Sequence, residues 1–496
     1  MAYTVGVDLG TSAVKALVVD REGQIIDEVS RPLSLSQPKS GWSEQDPEEW
    51  VKETVEALKI LTDRLEKDVS EIEGLSFSGQ MHGLVLLDQK YNVVRPAILW
   101  NDTRTTEQCQ EIYEKVGEKK LLSITKNPAL EGFTLPKILW VKEYEPENFR
   151  RAMTFVLPKD YVRYRLTGEL CMEYSDAAGT LLLDIENKDW STEVCKAVGL
   201  PISFCPPLVA STNQTGTVTL TETGLSRNTK VFAGGADNAC GAVGTGILRE
   251  GKTLCSIGTS GVVLSYEADA GKDFGGEAHY FYHAAPDALY TMGVTLAAGY
   301  SLSWFKDVFA PGEEFEDFLE DVEEVPPGAR GLLFTPYIAG ERTPHADATI
   351  RATFTGMDSS HRREDFVRAV MEGITFSLNE SIEMFRKNGK KIDTIISIGG
   401  GAKNEEWLQM QADIFNATIV KLKSEQGPGM GAAMIAAYGC GWYDTLADCA
   451  DSFLEEAEYF EPNRERVETY KRLFSIYQKV YHQTEELSEE LKDFRK

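Results

Sequence analysis

Two carboxylates stand where apolar strands end. Asp8 sits near the end of YTVGVDL and precedes Gly-Thr-Ser (10–12), and Asp237 follows VFAGGA and opens the small-residue run DNACGAVG (237–244). A carboxylate there is costly unless it meets a cation or a hydrogen-bond donor. Asp8 therefore reads as a ligand, direct or through water, for a Mg²⁺ that bridges phosphates, or else as the cap of its own turn. Asp237 reads as a general base or, locally, as a helix N-cap. The cluster SGQMHG (78–83) tips the balance towards catalysis, because His82 follows a strand and is flanked by glycine, as a side chain exposed in a cleft would be. WNDTR (100–104) sets the ring of Trp100 beside the carboxylate of Asp102. Such a cluster can hold a sugar by its hydroxyls and its apolar face, or it can be a structural turn.

Phosphate chemistry has three candidate sites. Gly-Thr-Ser occurs at 10–12 and again at 258–260. Glycine lets a backbone approach a phosphate while the following amides and hydroxyls point at its oxygens. The third, GILREGKT (246–253), matches a Walker A string, but it has a small-residue helix before it and a strand after it, the reverse of the order a P-loop needs. It is read as a turn into a strand. His279 and His283 lie in EAHYFYHA, which alternates like a strand and gives no helical metal pair.

The elements that must position these groups follow from pattern. Residues 3–9, 13–19 and 24–30 are β-branched runs separated by LGTS and DREG, an antiparallel meander. Asp46-Pro47-Glu48-Glu49 supplies an N-cap, a proline at the first helical position and a capping-box glutamate for an amphipathic helix carrying Trp50, Val51, Leu58, Leu61 and Leu65. Strands are expected at 72–79 and 84–88, and helices at 104–122 and 135–144. TLCSIGTSGVVLSY (253–266) echoes residues 3–19 about half a chain later, which suggests two lobes of related topology. TIISIGGGAKNEEWLQMQADIF (394–415) is a strand, a glycine turn and a helix. Val467, Tyr470, Phe474, Tyr477, Tyr481, Leu487, Leu491 and Phe494 mark a closing amphipathic helix.

Length and charge set the limits. A chain of 496 residues suggests about three domains, or two larger lobes. The formal charge of −27 lacks the basic footprint of a protein that binds nucleic acid or an anionic membrane. The eight scattered cysteines include no Cys-x-x-Cys pair and favour reduced thiols. With no long apolar run and no leader-like N-terminus, a soluble cytoplasmic protein is expected.

VGVDLGTSAVK (5–15), SIGTSG (256–261) and SIGGGAKN (397–404) resemble the two phosphate loops and the adenosine loop of the sugar kinase, actin and chaperone ATPase superfamily. Within it, GWSEQDPEEW (41–50), GFTLPKILWVK (132–142), LPKDYVRYRLTG (157–168), SDAAGTLLLD (175–184), AGGADNACGAVG (233–244) and YIAGERTPH (337–345) are similar to the FGGY carbohydrate kinases. SGQMHG with WNDTR and AGGADN is most similar to the branch that phosphorylates xylulose. The resemblance implies an α/β chain of two ribonuclease-H-like (actin-like ATPase) lobes with a cleft between them: a sugar-binding lobe over 1–246 and a nucleotide-binding lobe over 247–496. It implies Asp237 as general base, Met81, His82 and Asn238 at the sugar, and ATP on Thr11, Ser12 and Lys15, on Gly258 and Thr259, and on Gly400, Gly401 and Asn404. Absence of an Arg-Glu pair near 81–83 points away from glycerol and towards a ketose.

The expected activity is ATP-dependent phosphorylation of D-xylulose, with Asp8 positioning Mg²⁺ and Trp100 and Asp102 near the sugar. Rivals are a sibling kinase for ribulose, gluconate, glycerol or a deoxyketose, and a non-catalytic sugar-binding regulator. The presence of both Asp8 and Asp237 speaks against the regulator. Expected partners are a small sugar and ATP, with no nucleic acid or membrane and with a homodimer left open.

Overall fold

The computed structural model of the chain describes residues 2–272, 274–423 and 427–495. In the first lobe, strands β1 (Tyr3–Leu9), β2 (Ala13–Val19), β3 (Ile25–Pro32), β4 (Ile72–Gly79), β5 (Gln214–Thr217) and β6 (Lys230–Phe232) form a sheet ordered β5-β6-β4-β1-β2-β3, and the short β7 (Gly235–Ala236) also pairs with β4. β1 runs antiparallel to β2 and parallel to β4. The second lobe uses β8 (Lys252–Ile257), β9 (Gly261–Glu267), β10 (His279–Tyr282), β11 (Leu289–Thr295), β12 (Thr394–Gly399), β13 (Thr418–Leu422) and β14 (Glu456–Phe460), ordered β10-β11-β9-β8-β12-β13-β14. Here β8 is antiparallel to β9 and parallel to β12, so the echo seen in sequence is an echo of topology.

Alternation along β1 explains how Asp8 is aimed. Val5, Val7 and Leu9 enter a core shared with Trp50, Leu58 and Leu61 of α1 (Pro47–Leu65), while Thr4, Gly6 and Asp8 face the other side of the pleat. The Asp46 carboxylate caps α1 through the Glu48 amide at 3.0 Å. Glu49, expected to close a capping box, instead accepts from the Ser34 hydroxyl at 2.9 Å and ties the meander to the helix.

The remaining helices used below are α2 (Pro158–Thr167), α3 (Asp237–Gly244), α4 (Arg363–Lys387), α5 (Glu405–Phe415), α6 (Gly427–Gly439) and α7 (Arg464–Glu490). The 246/247 division separates the two sheets, yet α6, from the second half of the chain, packs on β1, β4 and α3 of the first. The approach is close enough to require glycine: a Cβ on Gly6 would fall 2.0 Å from the Gly429 carbonyl oxygen, and one on Gly431 would fall 1.8 Å from that of Cys240. α4, buried along most of its length, packs beneath β9 and β11.

Two further expectations are corrected. The helix expected over 104–122 is two, Thr106–Val116 and Glu118–Thr125, broken at Gly117 with φ +88°. α7 buries Val467, Tyr470, Tyr477 and Tyr481, but Leu487, Leu491 and Phe494 are exposed. Leu491 and Phe494 lie past the helix in a final 3₁₀ turn. Among the described residues no helix is long and apolar enough to cross a membrane.

Candidate active site

Both Gly-Thr-Ser segments are hairpin turns, the first joining β1 to β2 and the second β8 to β9. Side chains hold the first. The Thr11 hydroxyl donates to Gln80 Oε1 at 3.2 Å and accepts from Trp100 Nε1 at 2.9 Å, and Gln45 Nε2 donates to the Thr11 carbonyl at 2.7 Å. Ser12 is exposed. Lys15 pairs across the hairpin with Asp8 in register and makes an ion pair with Glu28 at 3.0 Å. Backbone holds the second turn: the amides of Gly299 and Tyr300 donate to the carbonyls of Gly258 and Thr259 at 2.8 and 3.1 Å.

The second turn opens into a cavity of about 800 Å³ whose walls include Gly258, Thr259, Gly400, Gly401 and Asn404. The fold thus brings together five residues spread over about 145 positions of sequence. Gly400 and Gly401 form a 3₁₀ turn after β12, and the Asn404 side chain caps α5 through the Trp407 amide at 2.8 Å. The Walker-like string GILREGKT forms a turn: Gly246 to Gly251 lead into β8, and Lys252 pairs with Glu456 at 3.2 Å. His279 and His283 bond to Asn127 and to the Ile247 carbonyl.

Asp237 is the first residue of α3, directly after β7, and Asp8 ends the neighbouring strand system. Burial, and then the Asp8 charge, push the Asp237 carboxyl up to about 7. Burial also raises Asp8, offset in part by the Ser78 hydroxyl and the Lys15 ammonium. Asn238 Nδ2 lies 3.2 Å from Asp237 Oδ1 and 3.5 Å from Met81 Sδ, which joins base and sugar candidates in one group.

His82 has φ +65°, a left-handed conformation imposed by its setting. Its carbonyl accepts from Thr134 Oγ1 at 3.1 Å, and Lys137 Nζ binds the carbonyls of Gly132 and Phe133 beside it. Burial first, then the Lys137 and Arg342 charges, pull the imidazole down to about 3, so it is neutral. Nδ1 lies 2.7 Å from the Gly179 carbonyl oxygen, which can only accept. The proton is therefore on Nδ1, and Nε2 is left as an acceptor for a ligand hydroxyl.

Trp100 is 48% exposed at the mouth of the first turn, whereas Asp102 is 1% exposed. Asp102 Oδ2 accepts from the Ser43 amide and from Arg104 at 2.6 Å each, and Arg104 lies 3.6 Å over the Trp42 ring. The carboxylate expected beside the sugar is thus consumed by a buried ion pair, and its part is to fix the loop that carries Trp100.

Sequence reasoning missed the support beneath the site. Lys159 of α2 is fully enclosed with Asp176 at 2.6 Å, Asp160 at 3.0 Å and Glu173 at 3.1 Å. Burial opposes its charge, but the three carboxylates outweigh burial and hold it protonated. Glu173 accepts from the Ser175 hydroxyl at 2.8 Å, and Ser175 Oγ accepts from the Ala236 amide, next to Asp237, at 2.9 Å. The helix Tyr174–Ala178 that carries Asp176 leads into Gly179, the partner of His82. Lys159 and Asp160 lie in LPKDYVRYRLTG (157–168), Asp176 in SDAAGTLLLD (175–184) and Glu173 between the two, so no single local pattern marks the cluster.

The chain matches the N-terminal domain of the FGGY family of carbohydrate kinases over residues 3–244 and its C-terminal domain over 253–440. It is 58% identical to a xylulose kinase of Bacillus subtilis strain 168 over 499 aligned positions, covering 100% of both chains. It is 35% identical to one from Escherichia coli K12, with 95% of this chain and 98% of the relative covered. A ligand-bound xylulose kinase structure from Lactobacillus acidophilus superposes with a TM-score of 0.93 at 27% identity, covering 98% of each chain. With two lobes of repeated topology, two Gly-Thr-Ser turns and both family domains in order, the chain belongs to the FGGY family of carbohydrate kinases.

Proposed function

We propose that this chain transfers the γ-phosphoryl group of ATP to D-xylulose to give D-xylulose 5-phosphate. The observation that carries this reading is the group formed by Asp237, Asn238, Met81 and His82 beside the first Gly-Thr-Ser turn. The shared name of the relatives at 58% and 35% identity supports the choice of sugar.

Phosphoryl transfer asks the protein for in-line positioning and charge stabilisation more than for covalent chemistry. Asp237 takes the proton of the terminal sugar hydroxyl as that oxygen attacks, and such a base contributes about 10²–10⁴-fold. His82 Nε2 accepts from a second hydroxyl, while Asn238 and Met81 shape the pocket. Thr11, Ser12 and Lys15 receive phosphate on the first turn, Gly258 and Thr259 receive it on the second, and Gly400, Gly401 and Asn404 hold the adenosine. The residues present fit Mg²⁺: Asp8 and Asp237 offer hard oxygen donors, and the Asp8 charge is already felt at Asp237. Asp8 would hold the ion, which when bound neutralises charge on the β- and γ-phosphates. On this reading the enzyme works in the cytoplasm on small molecules.

The test is a screen of pentuloses, gluconate and polyols with ATP, identifying the phosphorylated carbon. D-xylulose is expected to give the highest kcat/KM, and a clear preference for ribulose, gluconate or glycerol would overturn the assignment. Asp237→Asn should lower kcat about 10²–10⁴-fold with nucleotide affinity nearly intact.

A further inference from the structure

The sugar candidates Met81, His82, Asp237 and Asn238 all come from the first lobe. The second lobe brings near them a charged group that the reading above leaves unused. Arg342, in the segment YIAGERTPH, is half-buried, and among the described residues its guanidinium makes no hydrogen bond or ion pair. Glu131 and Glu341 act on it only from beyond ion-pair distance. Burial pushes the Glu341 carboxyl up to about 8, which weakens it as a counter-ion to Arg342. An unpaired cation in a half-buried position is expensive, and such a cost points to a ligand.

The backbone around Arg342 is rigidly set. Glu341 Oε1 accepts from the amides of Arg342 and Leu296 at 2.8 and 3.1 Å, and Ser377 Oγ donates to Glu341 Oε2 at 2.9 Å. On the other side the Thr343 amide donates to the Val294 carbonyl, and the Val294 amide donates to Thr343 Oγ1, both at 3.0 Å. Arg342 is thereby pinned to β11, whose Met292, two residues before Val294, pairs with His279. The His279 ring is 5.8 Å from the Phe133 ring, which is 4.6 Å from the His82 ring. Tyr290 of the same strand has its hydroxyl 4.0 Å from Met81 Sδ. β11 therefore runs beneath the sugar group. The Arg342 charge is felt at both His82 and His279, whereas the causes that set Asp237 are burial, Asp8 and its own backbone bond.

We propose that Arg342 is a substrate-binding residue contributed by the second lobe, whose guanidinium fork grips the carbonyl end of the ketose, remote from the hydroxyl that Asp237 serves. The chemistry fits: a planar fork donates to the carbonyl oxygen and an adjacent hydroxyl at once, which an ammonium cannot reproduce. A sugar held in this way touches both lobes, so its binding draws them together. This inference rests on the ketose kinase reading above.

The experiment measures D-xylulose and ATP affinity separately by calorimetry for the wild type, Arg342→Met and Arg342→Lys. D-xylulose affinity should fall about 10- to 100-fold in Arg342→Met and by an intermediate factor in Arg342→Lys, with ATP affinity within about twofold. A pentitol, which lacks the carbonyl, should lose far less. Equal losses for ketose and pentitol, an unchanged ketose affinity, or a matching loss for ATP would each overturn the assignment. Mass mapping of arginine modification by phenylglyoxal in the wild type needs no variant to fold: D-xylulose should shield Arg342, and undiminished labelling contradicts the proposal. If the wild type binds no pentulose, both the functional reading and this inference fall. If it binds one and Arg342 is indifferent, only this inference does.

Discussion

The two Gly-Thr-Ser turns share sequence and topology and differ in what surrounds them. Two residues before the first turn's glycine stands Asp8, and the same position before the second is Ser256. The first turn is braced by the side chains of Gln45, Gln80 and Trp100 within reach of the Asp237 group, and the second by backbone at the edge of an open cavity. On the proposed reading, repetition supplies two phosphate cradles, and one carboxylate makes the first of them the reaction side. The same reading leaves the second lobe to hold the nucleotide and, under the Arg342 proposal, one end of the sugar.

Exchanging the features that differ tests this contrast. The largest effect should come from the position two residues before each glycine: Asp8→Asn should lower kcat about 10²-fold or more, while Ser256→Ala changes it only a few-fold. Similar losses in steady-state assays of the two variants would erase the distinction. Next is pH. A base at Asp237 would work only when ionised, and its carboxyl is raised to about 7. Below that value kcat/KM for the sugar should fall about tenfold per pH unit, and Asp8→Asn, which removes a repelling charge, should move the limb to lower pH. A flat profile between pH 5.5 and 7.5 in a pH–rate series, a range of about two units centred just below the Asp237 value, would exclude the base.

The smallest effects separate the lobes by substrate. Ser175→Ala loosens the Ala236 amide beside Asp237 and should cost a few-fold in kcat with the KM for ATP unchanged. Asn404→Ala removes the cap of α5, costs about 1 kcal/mol of stability and should raise the KM for ATP a few-fold with the sugar KM unchanged. Thermal unfolding and separate KM titrations check both, and a crossed pattern would contradict the division of labour.

Local pattern carried most of the fold. The β1-β2-β3 meander, the Asp46 cap of α1 and the echo at residues 253–266 were legible because alternation and turn chemistry act over a few residues. The Walker-like string at 246–253 was legible as a turn from the order of the elements on either side of it. Contacts between distant segments were not legible. Asp102 looked like a sugar ligand, but Arg104, Trp42 and Ser43 close around it. Nothing in Gly427–Gly439 announced that it would lie on Gly6 of the first lobe. Lys159, Glu173 and Asp176 are ordinary charges until the fold encloses them together. Arg342 lies in YIAGERTPH, yet that its guanidinium has no partner among the described residues is visible only in three dimensions.

The most direct test is the crystal structure of Asp237→Asn with D-xylulose and a non-hydrolysable ATP analogue. The sugar's terminal hydroxyl should lie about 2.6–3.2 Å from the residue 237 side chain, in line with the γ-phosphate and with the phosphates between the two Gly-Thr-Ser turns. A sugar bound with that hydroxyl turned away from residue 237, or phosphates seated outside the two turns, would contradict it.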